Sequence, residues 1–411
     1  MIYALELLSI IPILGGLILY LILIIFGAKS KNVPTKKETK KPTIAFLIPA
    51  RNESKVIERL LQSIQEQTVP IKMKDVYVII EDKEDPTKKI TEKYGGTVLY
   101  RTTNIHRKGY ALDEAVKQIL PKHYDLYFIF DADNILDSHY VEKMLPSYYE
   151  GYDIALGYRN CKNGNANVIA AASTLIFSII NTLLNKRRKK NHKNVTISGT
   201  GFFIKGKYID QWQGYPFHTL TEDYELSLYA MKHNLKTDYV ENAIYYDEQP
   251  TTYKQTVIQR KRWVSGYFEA RAIYIRQLVQ SMKQNKFNNA SKWSEVIGII
   301  PIILLLLGIG WYLFVRGIEV LIALLIQPSL VWDYLSMIIY LFLFVYFALF
   351  LVTILALIQE KGKLNLSWKM KLKVLFYHPI FLLGYIPIAI SLLFHQDVTW
   401  EPIEHKQINI E

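Results

Sequence analysis

Acidic side chains stand in two short groups that are well separated along the chain. Asp131 and Asp133 flank a single alanine directly after an apolar segment, and Glu222 and Asp223 follow Thr221 ahead of a helical pattern. Carboxylate oxygens bind Mg²⁺ or Mn²⁺, ions that share their coordination with phosphates, and a carboxylate can also remove a proton from a hydroxyl. The structural alternatives are aspartates that cap a turn and carboxylates that favour a helix N-terminus.

A third group combines an amide, several cations and an indole in the run Gln259–Trp263. Gln259, Arg262 and Trp263 share one face of a helix, so they can converge on one ligand. Arginine can bind a diphosphate with two parallel hydrogen bonds, and tryptophan can stack on the apolar face of a sugar ring. The alternative is a basic and aromatic belt beside a membrane span.

The segments around these groups predict a sheet that would bring them together. From Thr43 onward, short apolar runs alternate with helical stretches, which predicts a parallel α/β sheet. We expect ligands to lie beyond the carboxyl ends of its strands, where Asp131 and Asp133 stand. The predicted strands are 44–48, 76–80, 98–100 and 126–130, and the predicted helices begin near Glu53 and cover 113–120.

Apolar segments at both ends of the chain predict membrane helices. Residues 7–27 are almost uninterruptedly apolar, about the ~20 residues that cross a bilayer as a helix. Residues 167–184 carry several polar side chains, which favours a buried or interfacial helix. The C-terminal apolar stretches are 296–316, 318–331, 335–358 and 374–394, and at least two of them are predicted to cross. For 318–331 and 374–394, which contain prolines, an interfacial or re-entrant placement is the alternative.

The formal net charge of +12 indicates an acidic partner, and the position of the lysines favours anionic lipid over nucleic acid. Lysines follow the first apolar segment from Lys29 to Lys41 and a later one from Lys361 to Lys373. Basic residues beside spans mark the cytoplasmic side, so we expect a multi-pass cell-membrane protein with a cytoplasmic catalytic domain and no nucleic-acid partner. The run Lys186–Lys190 is predicted to face solvent or lipid, and the single Cys161 excludes an internal disulfide.

Four motifs occur in a fixed order between the membrane segments: Pro49–Glu53, Asp131–Asp133, Thr221–Asp223 and Gln259–Trp263. This order resembles the family 2 inverting glycosyltransferases, which include cellulose, chitin, hyaluronan and poly-N-acetylglucosamine synthases, and the resemblance covers about residues 43–275. It implies an α/β fold of the GT-A (Rossmann-like) type with flanking transmembrane helices. It also implies a nucleotide-sugar donor, Mg²⁺ or Mn²⁺, and a single inverting displacement that gives a β linkage.

The resemblance assigns a role to each matching residue. Asp223 is implied as the general base, and Asp133 as the metal ligand with Asp131 in support. The residues implied at the donor or nucleotide are Pro49, Ala50, Glu53, Asp82, Lys108 and Asp131. Those implied at the acceptor or diphosphate are Gly199, Thr200, Gly201, Glu222, Gln259, Arg262 and Trp263.

Two features depart from or extend this pattern. Many family members carry Asp-Asp-Gly-Ser after the second strand, whereas this chain has Glu81-Asp82-Lys83-Glu84, so Asp82 is the predicted nucleotide ligand and Glu81 the alternative. The segment Trp400–His405 distantly resembles a Trp-containing tail of processive synthases. A cytoplasmic tail would require an even number of C-terminal crossings.

The resulting hypothesis is transfer of a hexose or N-acetylhexosamine, from a donor that is expected to be a UDP-sugar, to a growing cell-surface polysaccharide. A lipid acceptor, polyprenyl phosphate or diacylglycerol, is the alternative, followed by an inactive sugar-nucleotide-binding protein. A transporter is disfavoured because ionisable residues are scarce in the apolar segments. The predicted organisation is a transmembrane helix (1–28), a basic linker (29–42), the catalytic domain (43–275), an interfacial helix (276–295), transmembrane and interfacial helices (296–395) and a tail (396–411).

Overall fold

The computed structural model describes residues 2–25, 33–284 and 290–394, with side chains described for 8–19, 33–284 and 290–392. The basic residues Lys29 and Lys31 and the tail segment Trp400–His405 lie outside the described residues. The chain forms two compact units. We call Lys31–Gln277 with Thr353–Glu411 the sheet unit, and Met1–Ser30 with Leu278–Val352 the helical unit.

The sheet unit is organised around one mixed sheet with the strand order β3-β2-β1-β4-β7-β6-β8-β5. Its strands are β1 (Ile44–Pro49), β2 (Val76–Ile80), β3 (Thr97–Tyr100), β4 (Leu126–Ile129), β5 (Ile135–Leu136), β6 (Ile154–Cys161), β7 (Phe202–Lys205) and β8 (Thr237–Asp247). The predicted parallel arrangement is confirmed for β1 to β4. The rest of the sheet is mixed, because β7 runs antiparallel to both of its neighbours and β5 antiparallel to β8, whereas β6 and β8 pair in parallel.

The helices in chain order are α1 (Ile2–Ile25), α2 (Ile57–Gln65), α3 (Thr87–Lys93), α4 (Lys108–Ile119), α5 (Tyr140–Glu150), α6 (Val168–Ile179), α7 (Arg187–Lys190), α8 (Gly206–Trp212), α9 (Glu222–Lys232), α10 (Tyr253–Gln284), α11 (Ala290–Ile297), α12 (Ile300–Ile326), α13 (Val331–Gln359), α14 (Trp368–Leu383) and α15 (Tyr385–Phe394). A π-helical segment, Ile180–Lys186, joins α6 to α7. The first predicted helix begins at Ile57 rather than near Glu53, because Asn52 has a φ of 58° and the chain turns there before the helix starts.

Successive residues of the central strands are buried on opposite faces of the sheet. Along β1, Ala45 and Leu47 pack in a layer that includes apolar residues of α4 and α9, whereas Phe46 and Ile48 pack in a layer with α2 and α5. Strands that are buried on both faces are near-continuous apolar runs. This explains why β1, β2 and β4 could be recognised in the sequence.

The helical unit contains α1 and α12 in close backbone contact. A Cβ at Gly308 would lie 2.6 Å from a side-chain carbon of Ile13, and a Cβ at Gly16 would lie 2.9 Å from the carbonyl oxygen of Pro301. Because the earlier residue of α1, Ile13, meets the later residue of α12, Gly308, and Gly16 meets Pro301, the two helices run antiparallel. Glycines let helix backbones approach closely in an apolar environment.

The two apolar stretches 296–316 and 318–331 do not form separate segments. Most of both lies in the single helix α12, which ends at Ile326 immediately before Gln327 and Pro328. The expectation that 318–331 is a segment separate from 296–316 is therefore wrong, because the helix continues through Gly317 and ends before the proline. A residue before proline is disfavoured in the helical conformation, which places the helix end here.

Within the described residues, four helical segments are long and apolar enough to cross a membrane: Val168–Lys190, Ala290–Ile326, Pro328–Gln359 and Trp368–Leu392. The first is the stretch predicted to be a buried or interfacial helix. Its residues Ala170 to Leu175 are buried, and Asn167 caps its N-terminus by accepting hydrogen bonds from the N–H groups of Ile169 and Ala170. Burial within the protein accounts for its apolar composition.

Candidate active site

The turn after β1 carries three of the predicted donor residues. Pro49 is the last residue of β1, and Ala50 and Glu53 lie in the turn that follows. Asn52 adopts a φ of 58° in this turn, and its N–H donates to the Asp85 carboxylate over 2.8 Å. The turn is thereby held against the segment that follows β2.

The two candidate nucleotide ligands after β2 have different surroundings. The Glu81 carboxylate lies 2.9 Å from a guanidinium nitrogen of Arg101 and 3.5 Å from Nε of Arg51. Asp82 is exposed, and its carboxylate accepts a hydrogen bond from the N–H of Glu84 over 2.9 Å. Both carboxylates stand at the carboxyl end of β2, so the choice between them stays open.

Asp131 and Asp133 lie in the turn that follows β4, and both are half-buried. The N–H of Asp131 donates to the Thr200 hydroxyl over 2.8 Å. The Asp133 carboxylate accepts from the Asn134 side-chain amide and from the N–H of Glu248, each over 3.1 Å. The turn is thus fixed by the segments that precede β7 and follow β8.

Lys108 is the first residue of α4 and joins several of the predicted residues. Its ammonium group forms an ion pair with Asp131, donates to the carbonyl of Gly199 over 2.7 Å and lies 3.8 Å from the Glu222 carboxylate. Burial lowers the pKa of Lys108, but the attraction of Asp131, Glu222 and Asp223 is larger in sum, and the net shift is upward. Lys108 therefore stays a cation between two carboxylate groups.

Glu222 and Asp223 form the first turn of α9. Glu222 is only 5% exposed, and burial raises its pKa to about 7, against the opposing attraction of Lys108 and with a further upward contribution from Asp223. Burial also raises the pKa of Asp223, while Lys108 and Arg262 oppose the shift. Two neighbouring carboxylates in a poorly solvated place resist simultaneous ionisation, which suits proton transfer.

One face of α10 closes the site on the side of α9. Arg262 is near enough to lower the pKa values of both carboxylates of α9. One turn further along, a Cβ at Gly266 would lie 2.6 Å from the side chain of Thr221, so α10 passes directly over the start of α9. Trp263 meets the Phe177 ring edge-to-face at 5.6 Å, and the remaining motif residue, Gln259, is half-buried.

The segment from Gly199 to Gly201 requires its glycines. Both have positive φ, 78° and 66°, and a Cβ at Gly201 would lie 2.1 Å from the ring of Tyr245. The Tyr245 hydroxyl donates to the carbonyl of Thr200 over 2.9 Å. This tight fit positions the Thr200 hydroxyl to accept from the N–H of Asp131 and the Gly199 carbonyl to accept from Lys108.

A buried ion pair that the motifs do not include lies behind this segment. Arg159 on β6 forms an ion pair with Asp247 at the end of β8 and donates to the carbonyl of Ser198 over 3.1 Å. Its guanidinium stacks 3.7 Å from the centre of the Phe177 ring. Burial raises the pKa of Asp247 to about 6, against the attraction of Arg159. The signal for it in the sequence is a cation within an otherwise apolar strand.

A second ion pair supports the turn after β4 and was likewise missed. Lys162 donates to the carbonyl of Asp133 over 2.9 Å and lies 3.1 Å from the Glu248 carboxylate. Glu248 in turn donates its backbone N–H to Asp133. Lys162 stands directly after β6 and Glu248 directly after β8, so only the pairing of those strands brings them to the turn.

Direct contacts join Lys108 to Asp131, Gly199 and Glu222, and join Asp131 to Thr200, which precedes Gly201 in the chain. Asp133 is linked to these residues through Asn134, whose side chain contacts both Asp133 and Thr200, and Asp223 acts on Lys108 through charge. Arg262 acts on the carboxylate of Glu222 through its charge. Trp263 contacts the Phe177 ring, on which the Arg159 guanidinium stacks. Pro49, Ala50, Glu53 and Asp82 stand at the carboxyl ends of the adjacent strands β1 and β2, outside this set of contacts. The sheet thus brings the residues around Lys108 and the residues that follow β1 and β2 to the same edge.

Comparison with known proteins gives a family. Residues 128–359, more than half of the chain, match the model described as "Glycosyl transferase family group 2". The "Probable glycosyltransferase YdaM" of Bacillus subtilis (strain 168) is 29% identical over 57% of this chain and 58% of its own length. The predicted family 2 membership is confirmed by the family match.

Two further relatives carry names that describe different activities. The "Probable glucomannan 4-beta-mannosyltransferase 14" of Arabidopsis thaliana is 22% identical over 65% of this chain and 52% of its own length. The "Beta-monoglucosyldiacylglycerol synthase" of Synechocystis sp. is 21% identical over 57% of this chain and 50% of its own length. The alignments therefore span little more than half the length of these relatives.

A solved structure supports the fold over almost the whole chain. The mannosyltransferase PcManGT from Pyrobaculum calidifontis, solved in complex with GDP-Man and Mn²⁺, superposes with a TM-score of 0.56. The match covers 96% of this chain and 99% of that one at 13% sequence identity. The predicted α/β fold of the GT-A type is confirmed.

Proposed function

We propose that this chain, which belongs to glycosyl transferase family group 2, transfers a hexose or N-acetylhexosamine from a nucleotide-sugar donor to a growing cell-surface polysaccharide. The donor that we propose is a UDP-sugar, and the reaction takes place at the cytoplasmic face of the cell membrane. Transfer inverts the anomeric centre in a single displacement.

The observation that carries this proposal is the position of Lys108. One ammonium group contacts Asp131 after β4, the Gly199 carbonyl before β7 and, at 3.8 Å, Glu222 at the start of α9. Three motifs that are far apart in the chain therefore meet at a single cation. A cation between the donor-side and acceptor-side carboxylates lies where a diphosphate leaving group would need charge compensation.

The donor side has the chemistry to share a divalent cation with the substrate. Among the described residues, no cluster of three or more His, Cys, Asp or Glu side chains is arranged to hold a metal ion. Asp131 and Asp133 would supply two carboxylates to a divalent cation, and Mg²⁺ commonly takes further oxygen ligands from substrate phosphates and water. When bound, Mg²⁺ or Mn²⁺ would neutralise charge on the leaving diphosphate, and Asp82 or Glu81, with Pro49, Ala50 and Glu53, would hold the nucleotide.

On the acceptor side, Asp223 is the general base that removes the proton of the attacking hydroxyl. Burial raises its pKa, which increases its basicity once it is ionised. Glu222 and the segment from Gly199 to Gly201 shape the space beside it, and the face of α10 with Gln259, Arg262 and Trp263 binds the diphosphate and borders the acceptor. The protein contributes mainly position and electrostatic stabilisation.

A lipid acceptor is the second candidate, and one contact favours it. Arg260, next to Gln259 on α10, donates to the carbonyl of Phe381 on α14 over 2.8 Å. The helix that borders the acceptor space is thereby joined to a helix with exposed apolar side chains. The relatives with a glucomannan and a diacylglycerol product represent the two alternatives.

The test uses the full-length protein reconstituted in lipid nanodiscs with radiolabelled UDP- and GDP-sugars, each with Mg²⁺, Mn²⁺ or chelator. We expect label from one donor to enter material that does not partition with lipid, only when the divalent cation is present. Label that partitions with lipid would establish the second candidate instead. Metal-dependent donor binding without any transfer would overturn the enzymatic proposal.

A matched pair of variants assigns the activity to this site. D223N is expected to abolish transfer and to keep donor binding. D210N removes a half-buried aspartate whose carboxylate contacts His123, and we expect it to retain full activity. Equal loss in both variants would indicate a general effect of removing a carboxylate and would contradict the assignment.

A further inference from the structure

The segment that leads into α9 has its backbone fixed just before Glu222 and Asp223. The N–H groups of His218 and Thr219 donate to the carboxylate of Glu225, each over 2.9 Å. Because Glu225 belongs to α9, these two bonds fold the segment back onto its own helix. The place of that helix relative to its neighbours must be set by other contacts.

Glu269 on α10 supplies such contacts with both of its carboxylate oxygens. Oε2 accepts a hydrogen bond from the N–H of Leu220 over 3.0 Å. Oε1 lies 2.7 Å from a guanidinium nitrogen of Arg107, and the same nitrogen donates to the carbonyl of His218 over 3.1 Å. One carboxylate therefore joins α10 to the segment before α9 and to the residue directly before α4.

The start of α4 also packs tightly on this segment. A Cβ at Gly109 would lie 1.9 Å from the carbonyl oxygen of Phe217. The Tyr110 ring stacks on the His218 ring, with the ring centres 4.2 Å apart. Lys108 stands immediately before Gly109, so its place is fixed relative to the start of α9.

Glu269 shares one face of α10 with Arg262 and Gly266, because residues three and four apart on a helix are neighbours. Arg262 acts through its charge on Asp223, and Gly266 passes over Thr221. A rotation of α10, or a shift along its axis, would break the contacts of Glu269. These contacts therefore fix the distance at which Arg262 faces Asp223.

The pair of Arg107 and Glu269 is not a large source of stability. Their side chains are 32% and 34% exposed, and exposed ion pairs contribute little to the free energy of unfolding. The pair nevertheless joins three elements that carry residues of the candidate site. Its loss should therefore change the geometry of the site more than the stability of the fold.

We propose that Glu269 is a positioning residue, whose carboxylate aligns Asp223 with the cations at the start of α4 and on α10. It acts through Leu220 and Arg107 rather than by contact with a substrate. The inference rests on the proposed function, because Asp223 is the base in that reaction. A misplacement of about 1 Å can cost about a hundredfold in rate, so a carboxylate that holds three elements in place can matter without touching the reacting atoms.

The first test separates the two contacts of the carboxylate in the full-length protein in nanodiscs. E269A removes both contacts, whereas E269Q can still accept from the N–H of Leu220 but no longer pairs with Arg107. We expect kcat to fall about tenfold in E269A and by less in E269Q, with the donor KM within about twofold of the unmodified value. The kcat is expressed per donor-binding site, counted by titration calorimetry, so that unfolded protein does not contribute.

The matched controls are E58A and E58Q, which remove a carboxylate that lies 2.7 Å from Lys93 at the surface of the sheet unit. Both should keep the full kcat. An unchanged kcat in E269A, an equal fall in E58A, or a loss of donor-binding sites in place of a fall in kcat would overturn the proposal.

The second test asks whether Arg107 acts through Glu269. Residues that work as one unit have non-additive effects, so we expect the kcat of R107M/E269Q to match that of R107M. R107K keeps a cation that can reach the carboxylate, and it should recover part of the kcat that R107M loses. A double variant whose loss is the product of the two single losses would overturn the proposal.

The third test measures the contacts of Glu269 without any reaction. Amide hydrogen exchange is followed in a peptide that covers residues 217–223 of the full-length protein. Exchange at Leu220 should be roughly fivefold faster in E269A, the factor for loss of one net hydrogen bond, and unchanged in E58A. Failure of the proposed function would appear as an absence of transfer by the unmodified chain. Failure of this inference would appear as unchanged exchange in E269A, or as faster exchange with an unchanged kcat.

Discussion

The two carboxylate pairs of the candidate site differ in their surroundings. Asp131 and Asp133 stand half-buried in the turn after β4, where the Lys108 ammonium contacts the Asp131 carboxylate and the N–H of Glu248 contacts that of Asp133. Glu222 and Asp223 open α9 beneath the helix α10, and burial raises the pKa of both. Similar side chains within one site are therefore placed in different dielectric surroundings.

This difference indicates a division of labour. Carboxylate oxygens in a turn that faces solvent and backbone donors suit the compensation of charge on a diphosphate and its cation. Carboxylates with a raised pKa suit proton transfer, because their basicity is closer to that needed near neutral pH. Substitutions in the two pairs should thus fail in different ways.

The largest effect is expected for D223N, which keeps the size of the side chain and removes the base. We predict a fall in kcat of about 10³-fold, within the range for loss of a general base, with donor affinity unchanged. Initial rates of label transfer and titration calorimetry with the nucleotide-sugar measure the two quantities separately. A parallel loss of donor affinity would indicate that Asp223 contacts the donor and would contradict its role as the base.

The next effect is expected for D133N, which should act on the donor and its cation. We predict a loss of about a hundredfold in kcat/KM, because Lewis-acid stabilisation contributes several kcal/mol, together with weaker Mn²⁺-dependent donor binding. D137N, four residues later and directly after β5, removes a carboxylate that pairs with Lys143 and serves as the control. Metal-dependent binding that is intact in D133N would contradict the division between the pairs.

The sequence predicted the donor side better than the supports of the site. The strands β1, β2 and β4 are short apolar runs in a local pattern, and Asp131 with Asp133 follows one of them, so their place at the sheet edge could be derived. The ion pair of Arg159 and Asp247 depends on the pairing of β6 with β8, across 88 positions of the chain. No local periodicity encodes such a pairing.

Two other features could not be read from the sequence for related reasons. Gly266 is one glycine within a long helical pattern, and only its contact with Thr221 shows that α10 passes over the start of α9. The sequence interpretation divided 296–331 into two apolar stretches at Gly317. Helix α12 continues through this glycine. Packing, rather than composition, decides whether such a glycine ends a helix.

A smaller effect on catalysis is expected from K108M, which removes the cation between the two pairs. The pair of Lys108 with the half-buried Asp131 is a hydrogen bond between charged groups, whose loss costs about 2 kcal/mol, so the thermal midpoint of the full-length protein in detergent should fall. Donor affinity should fall about tenfold with the lost charge-assisted contact. K108R is the control, and it should recover more of the thermal stability than of the activity. An unchanged midpoint in K108M would show that the carboxylates do not depend on this cation.

The smallest effect at neutral pH, and the most specific, is expected from E222Q. Asp223 must be ionised to act as a base, so the rate falls as the pH drops through its pKa, which burial raises above the usual range of an aspartate. Glu222 and Asp223 repel each other when both are ionised, and the substitution removes that repulsion. The acidic limb of the profile of kcat against pH should therefore move to lower pH, with little change on the alkaline side.

E225Q, on the same helix but bonded to the N–H groups of His218 and Thr219, is the control and should leave the limb in place. A limb that stays fixed in E222Q, or moves upward, would show that the buried pair does not set the ionisation of the base.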